Sequence, residues 1–444
     1  MTNTFCPIPW NFQAIRNNGD VRVCCQANVS ANKGIVRHDN GKPFNTATDS
    51  LNEARNATLM KQVRKNMING TWSDECRRCK EEEAAGLASR RIYESAKWGL
   101  TLDQVLPFTD IDGSIDTKSM PVVYYDLRFG NLCNLACRMC GPEDSITWYE
   151  QWSKFTGSES FNDTHGKVIL IRNEVGRLTT SDYDWHGSDL FWNQIENNMQ
   201  YIQKIYMAGG EPLLIDRHYE FLNKSVLNGT AKNIELEYNT NGTTLPSKVF
   251  ELWKHFKHVG IGVSVDGVGS VVEYQRWPIK WTHLEKNLYK LNHIMSTTKN
   301  ISAWFAVTVT AYNVFHISDM VEWKIANQHV NRFNSGTINP IISIHMAHKP
   351  ETVNVRILPI ELKIMIQEKY AASLATLQSI NTDLFLISKA EVIYNSIIKY
   401  MFAEDWNSVW FEKFITFTEF LDKERHQYIG DIVPELIPYV SKEQ

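Results

Sequence analysis

The sequence predicts an α/β protein with parallel βαβ units at its centre, a cysteine-rich segment before them and a helical extension after them. Two observations carry that reading. Apolar runs of strand length alternate with helix-length segments between residues 121 and 350, which implies parallel strands joined by crossover helices. All eight cysteines fall into two groups, five before residue 80 and three between residues 133 and 140, unlike cysteines scattered through a core.

At 444 residues the chain exceeds what one core usually supports, and 43% hydrophobic residues are ample for more than one. A formal charge of −4 is too small to imply nucleic-acid binding by bulk electrostatics. No apolar run has the length of a membrane span, and the N-terminus lacks a signal-peptide core. Thiolates that hold metal need a reducing compartment, so a cytoplasmic location is expected.

The cysteine-rich segment opens with Phe5-Cys6-Pro7-Ile8-Pro9-Trp10, continues with Gly19-Asp20-Val21-Arg22-Val23-Cys24-Cys25 and closes with Cys76-Arg77-Arg78-Cys79. Between them Ser50 to Gly70 reads as a helix, with Leu51, Ala54, Leu59, Val63 and Met67 at helical spacings. Gly99, Asp110, Asp112, Gly113, Ser114 and Asp116 mark a turn-rich link. The segments expected are therefore 1–95, a linker at 96–120, a central domain at 121–350 and a helical extension at 351–444.

The central domain starts with the strand-like run Val122-Val123-Tyr124-Tyr125 and then a loop carrying Cys133, Cys137 and Cys140, spaced C-x3-C-x2-C. Three thiolates on one loop can converge on one inorganic cluster. A [4Fe-4S] cubane wants four ligands, so three leave one iron open, as a catalytic metal site requires. Zinc would normally show a fourth ligand nearby, and a disulfide would leave one thiol over.

Later strand-like runs each end in polar or glycine residues. Ile205 to Ala208 leads into Gly209-Gly210-Glu211-Pro212, and Ile234 to Tyr238 into Asn239-Thr240-Asn241-Gly242. Val259 to Val263 leads into Ser264-Val265-Asp266-Gly267, with Arg276 beyond. Two further runs are Trp304 to Val309, before Thr310-Ala311-Tyr312-Asn313, and Pro340 to Met346. In barrels, reactive groups gather at such strand ends.

Between the cysteine loop and Gly209, Ser145 to Phe155 reads as the first crossover helix and Asp189 to Ile202 as the lead-in to the next strand. The stretch is rich in aromatics, including Trp148, Trp152, Phe161, Tyr183, Trp185 and Trp192, and its middle reads as an inserted loop suited to determining substrate choice. After Pro359, residues 360–377 and 391–402 read as amphipathic helices. The aromatic tail, Trp406, Trp410, Phe411, Phe414, Phe417 and Phe420, reads as core packing.

The loop Cys133 to Cys140, the Gly-Gly-Glu-Pro run, the Thr-Asn-Gly strand end and the Ser-x-Asp-Gly strand together resemble the radical S-adenosylmethionine (radical SAM) enzymes. The resemblance implies a partial (β/α)6 radical SAM barrel, a [4Fe-4S] cluster on Cys133, Cys137 and Cys140, and SAM chelated at the open iron. One electron then cleaves SAM to a 5′-deoxyadenosyl radical, which abstracts hydrogen from the substrate. It also implies that Gly209, Gly210 and Glu211 receive the SAM ammonium, Ser264 and Arg276 its carboxylate, and Asn239 and Asn241 other polar contacts. The family usually carries an aromatic before the third cysteine, where this chain has Met139, itself able to pack beside an adenine.

The N-terminal cysteines resemble the auxiliary-cluster modules called twitch and SPASM, which in most relatives follow the barrel. That resemblance implies a second [4Fe-4S] cluster on Cys6, Cys24, Cys76 and Cys79, with Cys25 as substitute for Cys24. A structural zinc knuckle is permitted by the same spacing. Many relatives with such modules modify peptides, so a peptide or protein substrate is expected first and a small metabolite (sugar, nucleotide or cofactor precursor) second. A reducing partner such as flavodoxin or ferredoxin is implied. A non-enzymatic iron-sulfur or zinc redox protein would explain the cysteines but leave the strand-end motifs without a role. No residue stands out as the catalytic base or radical quencher.

Overall fold

The computed structural model describes residues 4–27, 33–84, 88–164, 166–334, 339–380, 383–404 and 407–440; Trp406 of the aromatic tail lies outside them. The chain is a mixed α/β protein whose strands pair mainly in parallel. It divides into two compact units, one of Met1–Leu132, Glu159–Glu237 and Glu251–His258, the other of Cys133–Ser158, Tyr238–Phe250 and Val259–Gln444.

In the first unit β1 (Phe12–Ile15) turns through Gly19, at φ +85°, into β2 (Val21–Arg22). These two pair antiparallel, as a hairpin. β1 also runs parallel to β3 (Tyr124–Phe129), and β3 parallel to β4 (Lys204–Gly209). Successive strand residues point to opposite faces. Tyr125, Leu127, Phe129, Ile205 and Met207 are all buried and make the apolar face. Against it lies the helix Asp189–Asn197, where Trp192 stacks on Phe129 at 5.9 Å. The opposite face carries Tyr124, Asp126, Arg128, Lys204, Tyr206 and Ala208. Part of the inserted stretch forms two antiparallel hairpins, Ser160–Asp163 with Gly166–Ile169 and Ile171–Arg172 with Leu178–Thr179.

The helix expected from Ser50 to Gly70 is two helices, Leu51–Arg55 and Thr58–Ile68, broken at Asn56. Its amide donates to the Ile115 carbonyl and accepts from the Ile115 N–H, both at 2.9 Å. An asparagine engaged this way competes with continuation of the helix. Arg55 and Arg64, both fully buried, stitch this region together through carbonyls. Arg55 donates to Trp10 and Met120, and Arg64 to Pro9, Gly113 and Arg55.

The chain passes from the first unit to the second within β5 (Glu235–Thr240). In the second unit β6 (His258–Ser264) pairs parallel with β7 (Ile301–Val309), and β7 parallel with β8 (Ser343–Met346). The helices Trp281–Thr297 and Ile317–Ala326 are the crossovers. Helices Ile360–Ser379, Leu384–Met401 and Ser408–Arg425 follow. The second begins earlier than its apolar pattern because Asp383 caps it, accepting from the Phe385 N–H at 2.8 Å. Phe411 and Phe414 of the aromatic tail are buried, and Phe414 meets Tyr312 at 4.9 Å.

Arg64 supplies three buried carbonyls with their donors. Arg64→Ala should therefore lower unfolding free energy by roughly 3 kcal/mol or more, at 1–3 kcal/mol for each buried acceptor left unpaired. Urea unfolding monitored by tryptophan fluorescence checks this; a change under about 1 kcal/mol contradicts it.

Candidate functional site: two groups of thiols

The cysteine loop belongs to the second unit, and several of its backbone groups are hydrogen-bonded. The Ala136 N–H donates to Trp277 O and the Arg138 N–H to Gln275 O, each at 2.8 Å. Trp148 Nε1 donates to Cys137 O at 3.1 Å, Ser145 Oγ to Leu135 O at 2.6 Å and Thr147 Oγ1 to Cys133 O at 2.7 Å. The loop's own Arg138 is fully buried, stacked 3.6 Å over the Tyr274 ring. It donates to Tyr274 O at 3.0 Å and Asp422 Oδ1 at 2.5 Å. Asp422 also accepts from Tyr274 Oη (2.8 Å) and the Ile429 N–H (2.7 Å). Ala136 and Trp148 pack with Leu421, so the aromatic C-terminal helix is part of the loop's support. Sequence reasoning missed Arg138 and Asp422, since no spacing rule links residues so far apart.

Arg276 and Asn241 reach the thiols. Arg276 Nη1 lies 3.8 Å from Cys137 Sγ, and Asn241 Nδ2 lies 3.8 Å from Cys133 Sγ. Asn241 also donates to Asn134 Oδ1 at 2.9 Å, so it fixes the loop as well as facing a sulfur. Arg276 is held by Asp266, Nε to Oδ2 at 2.6 Å, and Asp266 is in turn fixed by the Thr308 N–H at 2.7 Å. Burial works against the Arg276 charge, but Asp266 and the neighbouring thiols raise its pKa above the ordinary value. Cys137 and Cys140 share a hydrogen bond that pulls the first thiol's pKa down, with help from Arg276, and pushes the second's up. Ser264 ends β6, half-buried and in register with Ala306. Asn239 lies one residue before the end of β5, where Gly262 leaves it room: a Cβ on Gly262 would lie 2.6 Å from Asn239 Oδ1.

Gly209, Gly210 and Glu211 lie in the first unit. Gly209 has φ +114°, a conformation glycine tolerates. A Cβ on Gly210 would fall 2.4 Å from Leu132 O and 2.8 Å from Asn131 C. The glycine is thus required by the protein's own backbone, at the residue just before Cys133. Glu211 is fully buried, its N–H donating to Leu132 O at 2.8 Å and its carboxylate accepting from the Leu213 N–H at 3.2 Å.

The N-terminal thiols are also in the first unit. Cys6, Cys24, Cys76 and Cys79 line one cavity, together with Ile8, Val23 and Met67. Burial pushes the Cys6 and Cys24 thiols up, and Cys76 up to about 12, and nearby thiols add to the rise in all three. Thiols raised in this way lose their protons only if a cationic centre replaces them, as metal binding does. Cys25 is raised by burial and Asp126 and lies among Arg90, Arg128 and Glu94 instead. Among the described residues no three His, Cys, Asp or Glu side chains are arranged around a single metal ion.

A pocket of about 630 Å³ in the second unit opens beside the cysteine loop, with Met139, Cys140, Trp152, Phe155 and Phe417 in its wall. No helix among the described residues is long and apolar enough to cross a membrane.

No family model matches the chain, and no curated protein matches it. Solved structures do. The chain is similar to SuiB of Streptococcus suis at 13% identity, covering 79% of this chain and 67% of that one, with a TM-score of 0.32. Against SuiB bound to precursor peptide SuiA the values are 13%, 81%, 74% and 0.34. Against native anSMEcpe with bound AdoMet they are 15%, 58%, 59% and 0.34, so the chain spans less than two thirds of that relative. TM-scores of this size carry no weight.

Two outcomes follow from these contacts. Asp266→Ala strips the partner from a buried arginine and should cost about 3–5 kcal/mol, read by urea unfolding; a loss below 1 kcal/mol contradicts the pairing. Gly210→Ala forces Leu132 aside and should cost roughly 1–3 kcal/mol, the usual range for overpacking. A Gly210→Ala protein as stable as wild type contradicts the close approach.

Proposed function

We propose that the chain is a radical SAM enzyme. In this reading Cys133, Cys137 and Cys140 hold a [4Fe-4S] cluster with one iron open to SAM, and Cys6, Cys24, Cys76 and Cys79 hold a second, closed [4Fe-4S] cluster. The observation that supports it best is the cysteine loop itself: three thiols on a braced backbone, with Arg276 and Asn241 each directed at a sulfur. Donors to cluster sulfurs tune reduction potential. When bound, the first cluster supplies the electron that cleaves SAM to a 5′-deoxyadenosyl radical, which abstracts a hydrogen atom from the substrate.

The protein's own groups bind and orient. Arg276, kept charged and fixed by Asp266, meets the SAM carboxylate with Ser264, and buried Glu211 with the Gly209-Gly210 backbone meets the ammonium. Asn239 gives a further polar contact, while Asn241 serves the loop first. The four N-terminal thiols come from three chain segments, so metal there also fastens the module. Residues 1–95 form that twitch or SPASM-like module, 96–120 the linker, 121–350 the partial (β/α)6 barrel and 351–444 the helical extension. The substrate is a peptide or protein, the reaction a radical oxidation or modification, the reductant a flavodoxin or ferredoxin, and the compartment the cytoplasm.

Anaerobic reconstitution with iron and sulfide, followed by dithionite and SAM, tests the reading. Wild type should release 5′-deoxyadenosine, and alanine at Cys133, Cys137 or Cys140 should abolish it. Cleavage at the wild-type rate by any of these variants would sink the assignment. The protein lacking all three should retain about four irons and four sulfides at the N-terminal site, the content of one cubane. One zinc with negligible iron contradicts the second cluster.

A further inference from the structure

The polar face of the first unit gathers three arginines, Arg16, Arg22 and Arg128, with Arg22 also facing the Cys24 and Cys25 thiols. Strand register sets Arg22, Ala14, Asp126 and Tyr206 in one row across four strands. Arg128 stands two residues further along β3, beside Ala208, and its guanidinium lies 5.1 Å from the Tyr206 ring centre. Arg16 follows Ile15 as Arg128 follows Leu127, to which Ile15 is paired. Arg16 and Arg128 both lie within electrostatic reach of Arg22. Alanines at positions 14 and 208 leave the floor between these long side chains low.

The carboxylates nearby do not balance them. Asp126 is taken by Arg128 at 3.1 Å, and Asp163 approaches Arg16 only to 4.0 Å. Arg22, 9% exposed, has no carboxylate partner among the described residues and donates to the Ala27 carbonyl. Among the described residues, the Nε atoms of Arg16 and Arg22 are buried without a hydrogen-bond partner. Buried guanidinium groups clustered with unsatisfied donors are costly unless an anion completes them, and Arg's planar fork suits oxyanions. The Arg128 side chain, 40% exposed, leaves the group reachable from solvent.

We propose that Arg16, Arg22 and Arg128 form an oxyanion-binding site that receives a carboxylate or phosphate carried by the substrate. The word substrate rests on the radical SAM reading; the anion site does not. Isothermal titration of the reconstituted full chain at low ionic strength, with inorganic phosphate and with glutarate in separate runs, tests it. Wild type should bind at least one, with Kd raised tenfold or more in Arg22→Gln and in Arg128→Gln, and less in Arg22→Lys. Preference for phosphate assigns a phosphorylated group, and preference for glutarate a carboxylate such as a peptide's acidic side chain. No binding to wild type, or unchanged Kd in both glutamine variants, overturns the proposal. If Arg22→Gln shows no cooperative unfolding, the more exposed Arg128→Gln decides. Titrating the protein that lacks Cys133, Cys137 and Cys140 separates the two readings: it should bind the anion even where SAM cleavage is lost.

Discussion

The buried pairing of Arg138 with Asp422 is the interaction on which the cysteine loop depends. Three thiols can converge on one point only if the short backbone between them is rigid, and a loop has no regular hydrogen-bond ladder to make it so. Here the loop's own arginine is driven into the second unit, over Tyr274 and onto a carboxylate of the C-terminal helix. Backbone bonds to Trp277 and Gln275 then fix the residues on either side of Cys137. A buried ion pair of this kind adds little net stability over an apolar substitute. Its value is positional: the guanidinium admits few arrangements, and the thiols inherit that restriction.

The same logic recurs with other groups. Asp266 holds Arg276 against Cys137, and Asn241 bridges Asn134 and the neighbourhood of Cys133. In the first unit, Arg55 and Arg64 tie the chain after Cys6 to the 113–120 segment through carbonyls alone. Long polar side chains do the work of secondary structure wherever thiols stand on irregular backbone.

Much of this was legible in the sequence, for reasons that are local. The C-x3-C-x2-C spacing, the glycine pair after an apolar run and the apolar runs of β5, β6 and β7 all act within a few residues. The helix break at Asn56 was not legible, because its cause is an amide bonded to Ile115. Nor was Arg138 with Asp422, 284 residues apart. The contact that makes glycine necessary at position 210, a close approach to Leu132, was not legible either. Asp266 stood in a quoted motif without a role until its contact with Arg276 gave it one.

The central claim is that the Cys133–Cys137–Cys140 site holds a cluster with one iron open to SAM. EPR of the dithionite-reduced protein, with Cys76 and Cys79 replaced so that only this site carries iron, reads that directly. Adding SAM should change the signal's g-values, because a new ligand enters at one iron. A spectrum that keeps its g-values at saturating SAM, from protein with a full complement of iron and sulfide, would contradict the account.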